Sequence, residues 1–356
     1  MKKIAIYQTN LNIGGISIAL QNLLKSHIFD NDLVDLYLFS GKIDKLPDFG
    51  SNVTIFFLKP FKYINRFVKY DLLYRNINLK NDKEYDVAID FNSYSNECSL
   101  FCLKTKAKKH IMWIHNDVRV KLKNEMKYRI LWFFFKGKFK YYDEFVAVSE
   151  GARDSFKKKV GIYNKKIWVI PNYVDAEQII RKSNIKCKNV VLNQRMTNII
   201  TIGCLNKQKG IDLLIRDMKV VIQYRDDIVL YIMGGGTERK KLEKMVRKLR
   251  LQNNIVFLGE RQNPYSILKN MDAFILNSRY EGQGIVLVEA DILGIPLIFP
   301  KRLEKYTFRL NGCDNVIESI ISLKKSKHNT NSNYNYKNYV EKELFKLINF
   351  ESDKEK

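Results

Sequence analysis

Asn277-Ser278-Arg279-Tyr280-Glu281-Gly282-Gln283-Gly284-Ile285-Val286-Leu287-Val288-Glu289-Ala290 is the stretch whose reading decides the fold. It leaves an apolar run at 273–277, expected as a strand, and enters an apolar-periodic run at 285–293, expected as a helix. Gly282 and Gly284 fall in the turn between them, where a missing Cβ lets the backbone approach a ligand closely. The amides at Ile285 and Val286 begin the helix and have no partner further back in it, an arrangement that suits a phosphate. Glu281 precedes the turn, and Glu289 follows it by two helical turns. A carboxylate at the second position accepts hydrogen bonds from vicinal hydroxyls such as those of a ribose.

Strand, glycine turn and helix in that order make one unit of a parallel α/β sheet, and the same rhythm runs through most of the chain. Strands are expected at 3–9, 33–39, 53–58, 85–91, 110–115, 144–148 and 166–170, with a helix at 17–27. Runs such as Val87-Ala-Ile and Phe145-Val-Ala-Val148 are continuously apolar, as strands covered on both faces are. A polar, basic stretch at 176–197 reads as a helix and a linker. The rhythm then restarts, with strands at 199–205, 228–233, 255–258, 273–277 and 296–299 and helices at 211–224, 238–249, 264–270 and 285–293. Two Rossmann-like parallel-sheet domains follow: 1–185, 186–330, and a segment 331–356 with a helix at 336–348 that packs back on the first. In such a pair the cleft between the domains, at the carboxyl ends of the strands, is the expected site.

The composition agrees. The 356 residues are 46% hydrophobic and 28% charged, which excludes a wholly disordered chain, a collagen or a disulfide mini-protein. The longest clear apolar run, 130–135, lies between Arg129 and Lys136 and is far short of the roughly 20 residues a spanning helix needs. The N-terminus turns polar within a few residues, unlike a signal peptide. Cys98, Cys102, Cys187, Cys204 and Cys313 are odd in number and scattered, as free thiols of a reducing cytosol are. Neither the spacing of Cys98 and Cys102 nor the carboxylates at Asp30-Asn-Asp32 and Asp226-Asp227 suggests a metal site.

The net charge of +24 is uneven: residues 101–200 hold 23 basic and 8 acidic residues. Stretches 58–75 and 119–142 interleave Lys and Arg with large aromatics, among them Tyr128, Trp132, Phe133, Phe134, Phe135, Phe139, Tyr141 and Tyr142. A helix with a basic and an aromatic face lies in the interface of an anionic membrane. The same pattern is also written by core aromatics beside a solvated basic face, or by a nucleic-acid surface. The membrane reading is favoured, and no nucleic-acid-binding module pattern is visible.

The spacing of Glu281 and Glu289 matches the E-x7-E motif of the retaining glycosyltransferase family 4, the glycosyl transferases group 1, and nearly the whole chain resembles that family. Its other motifs follow in order: Asn12-Ile-Gly-Gly-Ile16, Trp113-Ile-His-Asn-Asp117, Val146-Ala-Val-Ser149, Ile170-Pro-Asn-Tyr-Val-Asp175, Gly203-Cys-Leu-Asn-Lys-Gln-Lys-Gly210, Met233-Gly-Gly-Gly-Thr-Glu-Arg239 and Asn263-Pro-Tyr265. The resemblance implies a GT-B fold, two Rossmann-like domains facing across a cleft. It implies Glu281 and His115 as catalytic residues at the donor sugar, Glu281 by orientation and charge stabilisation. It implies a donor site made by Lys209, Glu289, Gly282, Gly284, Ile285, Val286, Gly14, Gly15, Lys207 and Arg279, with Lys209 on the diphosphate and no metal or other cofactor.

Two positions depart from the family pattern. Cys204 stands where Arg is usual, and a thiol lacks the guanidinium's bidentate fork for phosphate. Lys207 or Arg279 then supplies the charge, or donor binding weakens, or the chain is a non-catalytic relative that binds a partner or a nucleotide-sugar. Tyr173 stands where Gly is common. The resulting expectation is transfer of a sugar from a nucleotide-sugar, UDP-linked, to a lipid-linked saccharide in capsule, O-antigen or similar biosynthesis. The partners would be donor, saccharide acceptor and an anionic membrane surface, without nucleic acid, in a cytoplasmic protein on the inner face of the cell membrane.

Overall fold

A computed structural model describes residues 1–12, 14–39, 47–60, 67–77, 79, 83–186, 192–325 and 335–349. Cys187, residues 61–66 of the first basic-aromatic stretch and most of the polar tail 324–335 lie outside the described residues. The chain divides into two compact units, one of Met1–Val174 with the segment from Tyr336 onward, the other of Asp175–Asn335.

The first unit is a seven-stranded sheet: β1 (Lys3–Gln8), β2 (Leu33–Leu38), β3 (Val53–Phe57), β4 (Glu84–Asp90), β5 (Lys106–Ile114), β6 (Glu144–Ala147) and β7 (Ile167–Val169), in the order β3-β2-β1-β4-β5-β6-β7. Every ladder is parallel. Ile4, Ala5 and Ile6 of β1 are fully buried in succession, as the continuous apolar run requires. Around the sheet run α1 (Gly15–Leu24), α2 (Tyr70–Asn76), α3 (Asn96–Lys104), α4 (Val118–Asn124), α5 (Met126–Phe135) and α6 (Glu150–Val160). Several start where a side chain takes up an orphan amide: Ser95 accepts from Cys98 N, Asp117 from Val120 N and Ser149 from Ala152 N.

The second basic-aromatic stretch is not one helix. It is α4, a corner at Glu125, α5 and a 3-10 turn at Lys136–Tyr141. Arg129 closes the corner by donating Nε to Leu122 O (3.0 Å) and Nη2 to Lys123 O (2.9 Å), which satisfies carbonyls at the end of α4. Tyr128, Phe135, Phe139 and Tyr142 belong to the core of the unit. They carry its packing rather than a membrane-facing surface, so the aromatic run overstated that surface.

Lys138, within the 3-10 turn, is fully buried. Its ammonium donates to Ser93 O (2.7 Å) and Ser99 Oγ (2.8 Å). The Ser99 hydroxyl in turn donates to Asp90 Oδ2 (2.6 Å), which also receives Tyr142 OH (2.7 Å). Burial pushes the ammonium down to about 8, with Asp90 working against the shift. Burial likewise raises the Asp90 carboxyl, opposed by Lys138 and by its hydrogen bonds. This network ties the segment after α5 to the carboxyl end of β4.

The second unit begins with α7 (Ala176–Ser183), capped by Asp175. Its five-stranded sheet comprises β8 (Thr197–Ile202), β9 (Ile228–Met233), β10 (Ile255–Gly259), β11 (Ala273–Ile275) and β12 (Leu297–Ile298), ordered β10-β9-β8-β11-β12 and parallel throughout. The helices are α8 (Ile211–Val221), α9 (Arg239–Lys248), α10 (Tyr265–Leu268), α11 (Ile285–Ile292) and α12 (Val316–Ile321). The division at Val174/Asp175 lies upstream of the 185/186 boundary suggested by composition. The reason is that α7 packs on α10 and α11, and Asn263 Nδ2 donates to Lys182 O (2.8 Å). A last helix, α13 (Tyr336–Asn349), belongs to the first unit, where Tyr336 OH donates to Asn172 O and Tyr339 OH to Val169 O.

Lys138→Met removes the cation and leaves Asp90 buried without it. A loss of about 3 kcal/mol in urea denaturation is expected, and Asp90→Asn in the same chain should recover part of it.

Candidate active site

In the second unit, β8 and β11 are neighbours, and the loops at their carboxyl ends are bound to each other. After β8 the chain passes Cys204 and Asn206, makes a 3-10 turn at Lys207–Lys209 and enters α8 through Gly210. Asn206 Oδ1 accepts from Lys209 N (3.2 Å) and fixes that turn. Gly210 has φ +63°, and a Cβ there would stand 2.2 Å from Asn277 O, so only glycine lets the loops come this close. At the next strand end, a Cβ on Gly234 (φ +138°) would stand 2.0 Å from Gly203 O.

Across this approach the loops exchange hydrogen bonds. Arg279 N donates to Gln208 O (2.8 Å) and Gln208 Nε2 to Tyr280 O (3.2 Å). The Lys209 ammonium reaches both oxygens of Glu281, at 2.8 and 3.0 Å. Glu281 is buried and Lys209 mostly so. The structure thus brings together two sequence-predicted residues that lie 72 positions apart.

Arg279 is placed differently from the expectation that it supplies phosphate charge. Its guanidinium forks onto Asp212, Nη1 to Oδ1 and Nη2 to Oδ2 at 2.7 Å each, and Nη1 also donates to Lys207 O (2.8 Å). The bond to Arg279 holds the Asp212 carboxyl below its usual range. Lys207 is exposed, and so is Cys204.

At the start of α11, Gly282 and Gly284 are buried. One of the two amides expected to meet phosphate already has a partner: Ile285 N donates to Gln283 O, and the Gly284 amide before it donates to Tyr306 O, both at 2.9 Å. Val286 follows in the first turn of the helix. Further along α11, Glu289 accepts from Tyr265 OH (3.0 Å), and burial pushes its carboxyl up to about 7 against the pull of Tyr265 and Lys182.

In the first unit, Gly14 and Gly15 open α1, and a Cβ on either would meet no atom within 4 Å. His115 follows β5 and is buried. Its Nε2 lies 3.0 Å from Phe91 O, which makes Nε2 the protonated nitrogen and leaves Nδ1 as an acceptor. Burial pushes the imidazole down to about 3, so His115 is neutral at physiological pH. The neighbouring loop after β4 is joined to the loop after β1 by Asn92 Nδ2 donating to Thr9 Oγ1 (2.9 Å). Among the described residues, no group of three or more His, Cys, Asp and Glu side chains is placed to hold a metal ion.

The model of the Glycosyltransferase Family 4 matches residues 13–178, and that of the Glycosyl transferases group 1 matches residues 166–302. The chain belongs to this glycosyltransferase family. An O-antigen biosynthesis glycosyltransferase of Escherichia coli is 28% identical over 55% of this chain and 54% of its own. A Campylobacter jejuni N-acetylgalactosamine-N,N'-diacetylbacillosaminyl-diphospho-undecaprenol 4-alpha-N-acetylgalactosaminyltransferase is 28% identical over 40% of this chain and 37% of its own. The matched stretches span only 27% to 54% of the first curated relatives. Among solved structures, Anabaena HepE in complex with UDP and glucose aligns over 98% of both chains with a TM-score of 0.59 and 15% identity, which identifies the fold as GT-B.

For a glycosyltransferase of this family, the partners of the motif residues are as informative as the motifs. Asp212, Gln208 and Tyr265 escaped the sequence reading as partners, although Gln208 and Tyr265 lie inside family motifs. So did Arg302, whose Nη2 donates to Asn277 Oδ1 (2.8 Å) and Ser278 O (3.0 Å). A carboxylate at the second position of a helix, like Asp212, reads only as a favourable dipole contact; nothing in the sequence pairs it with an arginine 67 positions later.

Gly210→Ala forces the two loops apart and is expected to lower stability by about 1–3 kcal/mol in thermal or urea unfolding. Glu289 holds its proton more tightly when folded, at about 7 against the ordinary 4.5. Its contribution is therefore full below about 4.5 and lost as pH rises through about 7. Unfolding free energies measured across that window should decline with pH, and Glu289→Gln should flatten the decline.

Proposed function

We propose that this protein is a retaining, metal-independent glycosyltransferase that moves a sugar from a UDP-sugar to a growing, lipid-linked saccharide of a surface polysaccharide. The observation that carries the reading is the two-pronged Lys209–Glu281 pair, held by a glycine-permitted loop approach at the strand ends. Departure of a nucleoside diphosphate builds negative charge on phosphate oxygens, and a preorganised ammonium stabilises it. When a diphosphate engages Lys209, Glu281 is left to orient the donor sugar and balance charge at its anomeric carbon. His115, neutral, accepts a sugar hydroxyl at Nδ1 rather than pairing with phosphate. In the transfer, the bond from anomeric carbon to phosphate oxygen breaks as the acceptor oxygen bonds to the same face. The acceptor's proton passes to the departing phosphate, so atoms and charge balance without a covalent enzyme intermediate. Glu289, under Tyr265, is the acceptor for the ribose hydroxyls.

The names of the relatives support the setting: one acts in O-antigen biosynthesis, and another has a diphospho-undecaprenol compound in its name. We place the reaction on the inner face of the cell membrane, with an anionic membrane surface as partner. A second reading, a relative that binds nucleotide-sugar without turnover, is favoured by Cys204, since Arg279 is occupied by Asp212 and only exposed Lys207 remains nearby in sequence.

Thermal shift across nucleotides and nucleotide-sugars, followed by transfer of a labelled UDP-sugar into lipid extract, tests both readings. UDP-sugars are expected to raise the melting temperature, and Glu281→Gln to abolish transfer while retaining UDP binding. Cys204→Arg should tighten UDP binding by roughly tenfold or more. A flat response to every nucleotide, unchanged by Cys204→Arg, rejects the donor site. Binding without transfer selects the second reading.

A further inference from the structure

Helix α5 carries two sets of apolar side chains. Tyr128 and Phe135 enter the core of the first unit. Met126, Ile130 and Phe133 form an exposed stripe, with 72%, 54% and 55% of their surfaces open. Their spacing of four and then three residues puts them on one helix face. The stripe continues beyond the helix. Phe133 meets Phe134 edge-on at 5.4 Å, and Phe134 meets the exposed Phe67 at 5.8 Å.

Cations surround this apolar surface. Lys69 and Lys136 place their ammonium groups 5.4 and 5.8 Å from the Phe133 ring. Lys123, near the end of α4, and Lys127, at the start of α5, are exposed on either side of the corner. Within residues 118–142 the only carboxylate is Glu125, which pairs with Lys121 at 3.9 Å. A solvated basic face explains the lysines but leaves the open Met126, Ile130 and Phe133 side chains without a role. A protein interface tends to exclude lysine from its apolar centre, whereas an anionic leaflet offers hydrocarbon and phosphate together.

We infer that this stripe is a membrane-insertion face: Met126, Ile130 and Phe133 enter the acyl boundary while Lys69, Lys123, Lys127 and Lys136 meet the lipid phosphates. The inference rests on the membrane partner proposed above and narrows it to one side of α5. It excludes Tyr128, Phe135, Phe139 and Tyr142, which the core already uses.

Co-sedimentation of the full chain with phosphatidylcholine vesicles, with and without phosphatidylglycerol, tests the assignment. The wild type is expected to bind only the anionic vesicles, and less so as salt is raised. Ile130→Ser with Phe133→Ser should weaken that binding roughly tenfold even at low salt. Lys123→Glu with Lys127→Glu should weaken it by a similar or larger factor and flatten the salt dependence. Melting temperature and the shift produced by UDP should stay at wild-type values in both variants, since the changed side chains are exposed. Equal vesicle binding by the serine variant overturns the insertion face and leaves the membrane partner standing. Absence of wild-type binding to anionic vesicles overturns both. A concentration-dependent dimer that the serine variant loses, without vesicle binding, assigns the stripe to a second copy of the chain and likewise overturns it.

Discussion

The second unit is organised by the contact between the loop Asn206–Gly210 and the segment Asn277–Glu281. Parallel neighbours β8 and β11 deliver both segments to the same edge of the sheet. Glycine at 210 lets one backbone rest on the carbonyl of the other. The remaining contacts follow from that proximity: the Gln208 and Arg279 hydrogen bonds, the Asp212 fork and the Lys209–Glu281 pair. A carboxylate as buried as Glu281 is tolerated because an ammonium spans both its oxygens. Remove the approach, and the charged groups lose the geometry that makes their burial tolerable.

Much of this was legible from sequence because the determining signals are local. Apolar runs placed β1, β8 and β9 within a few residues, the last two ended by Gly203 and Gly234, and the ladders that order them follow from parallel α/β construction. The E-x7-E segment placed Glu281 before a glycine turn and Glu289 in the helix that follows it, and Glu289 lies in the second turn of α11. What stayed hidden depends on contacts between distant positions. Arg279 looks like a free cation in sequence, yet its fork belongs to Asp212. Lys138 looks like one more surface lysine between aromatics, yet it is the most enclosed cation of the segment, held by Ser93 and Ser99. The amide of Ile285 looks open by the rule for helix starts, but a tight turn has used it. Periodicity and charge runs say which residues are apolar or basic. They do not say which of two faces a short helix turns inward, and α5 shows the cost of that ambiguity.

Electrostatically the two units solve different problems. In the first, His115 is kept neutral by burial, and the Asp90–Lys138 network is buried at the carboxyl end of β4. In the second, Glu281 is paired with the Lys209 ammonium on one side of a glycine turn, while on the other side burial makes Glu289 hold its proton more tightly. Environment rather than residue type sets each role.

The return of α13 to the first unit has a consequence for how the chain is made. Val340, Leu344, Leu347 and Ile348 are buried, yet they are synthesised after the whole of Asp175–Asn335. The second unit is continuous in sequence and can close while still attached to the ribosome. The first, although begun earlier, must wait with an uncovered apolar patch until its final helix emerges. The segment that starts folding first is therefore the one that finishes last, and it is during that interval that the protein is most exposed to misassociation or proteolysis.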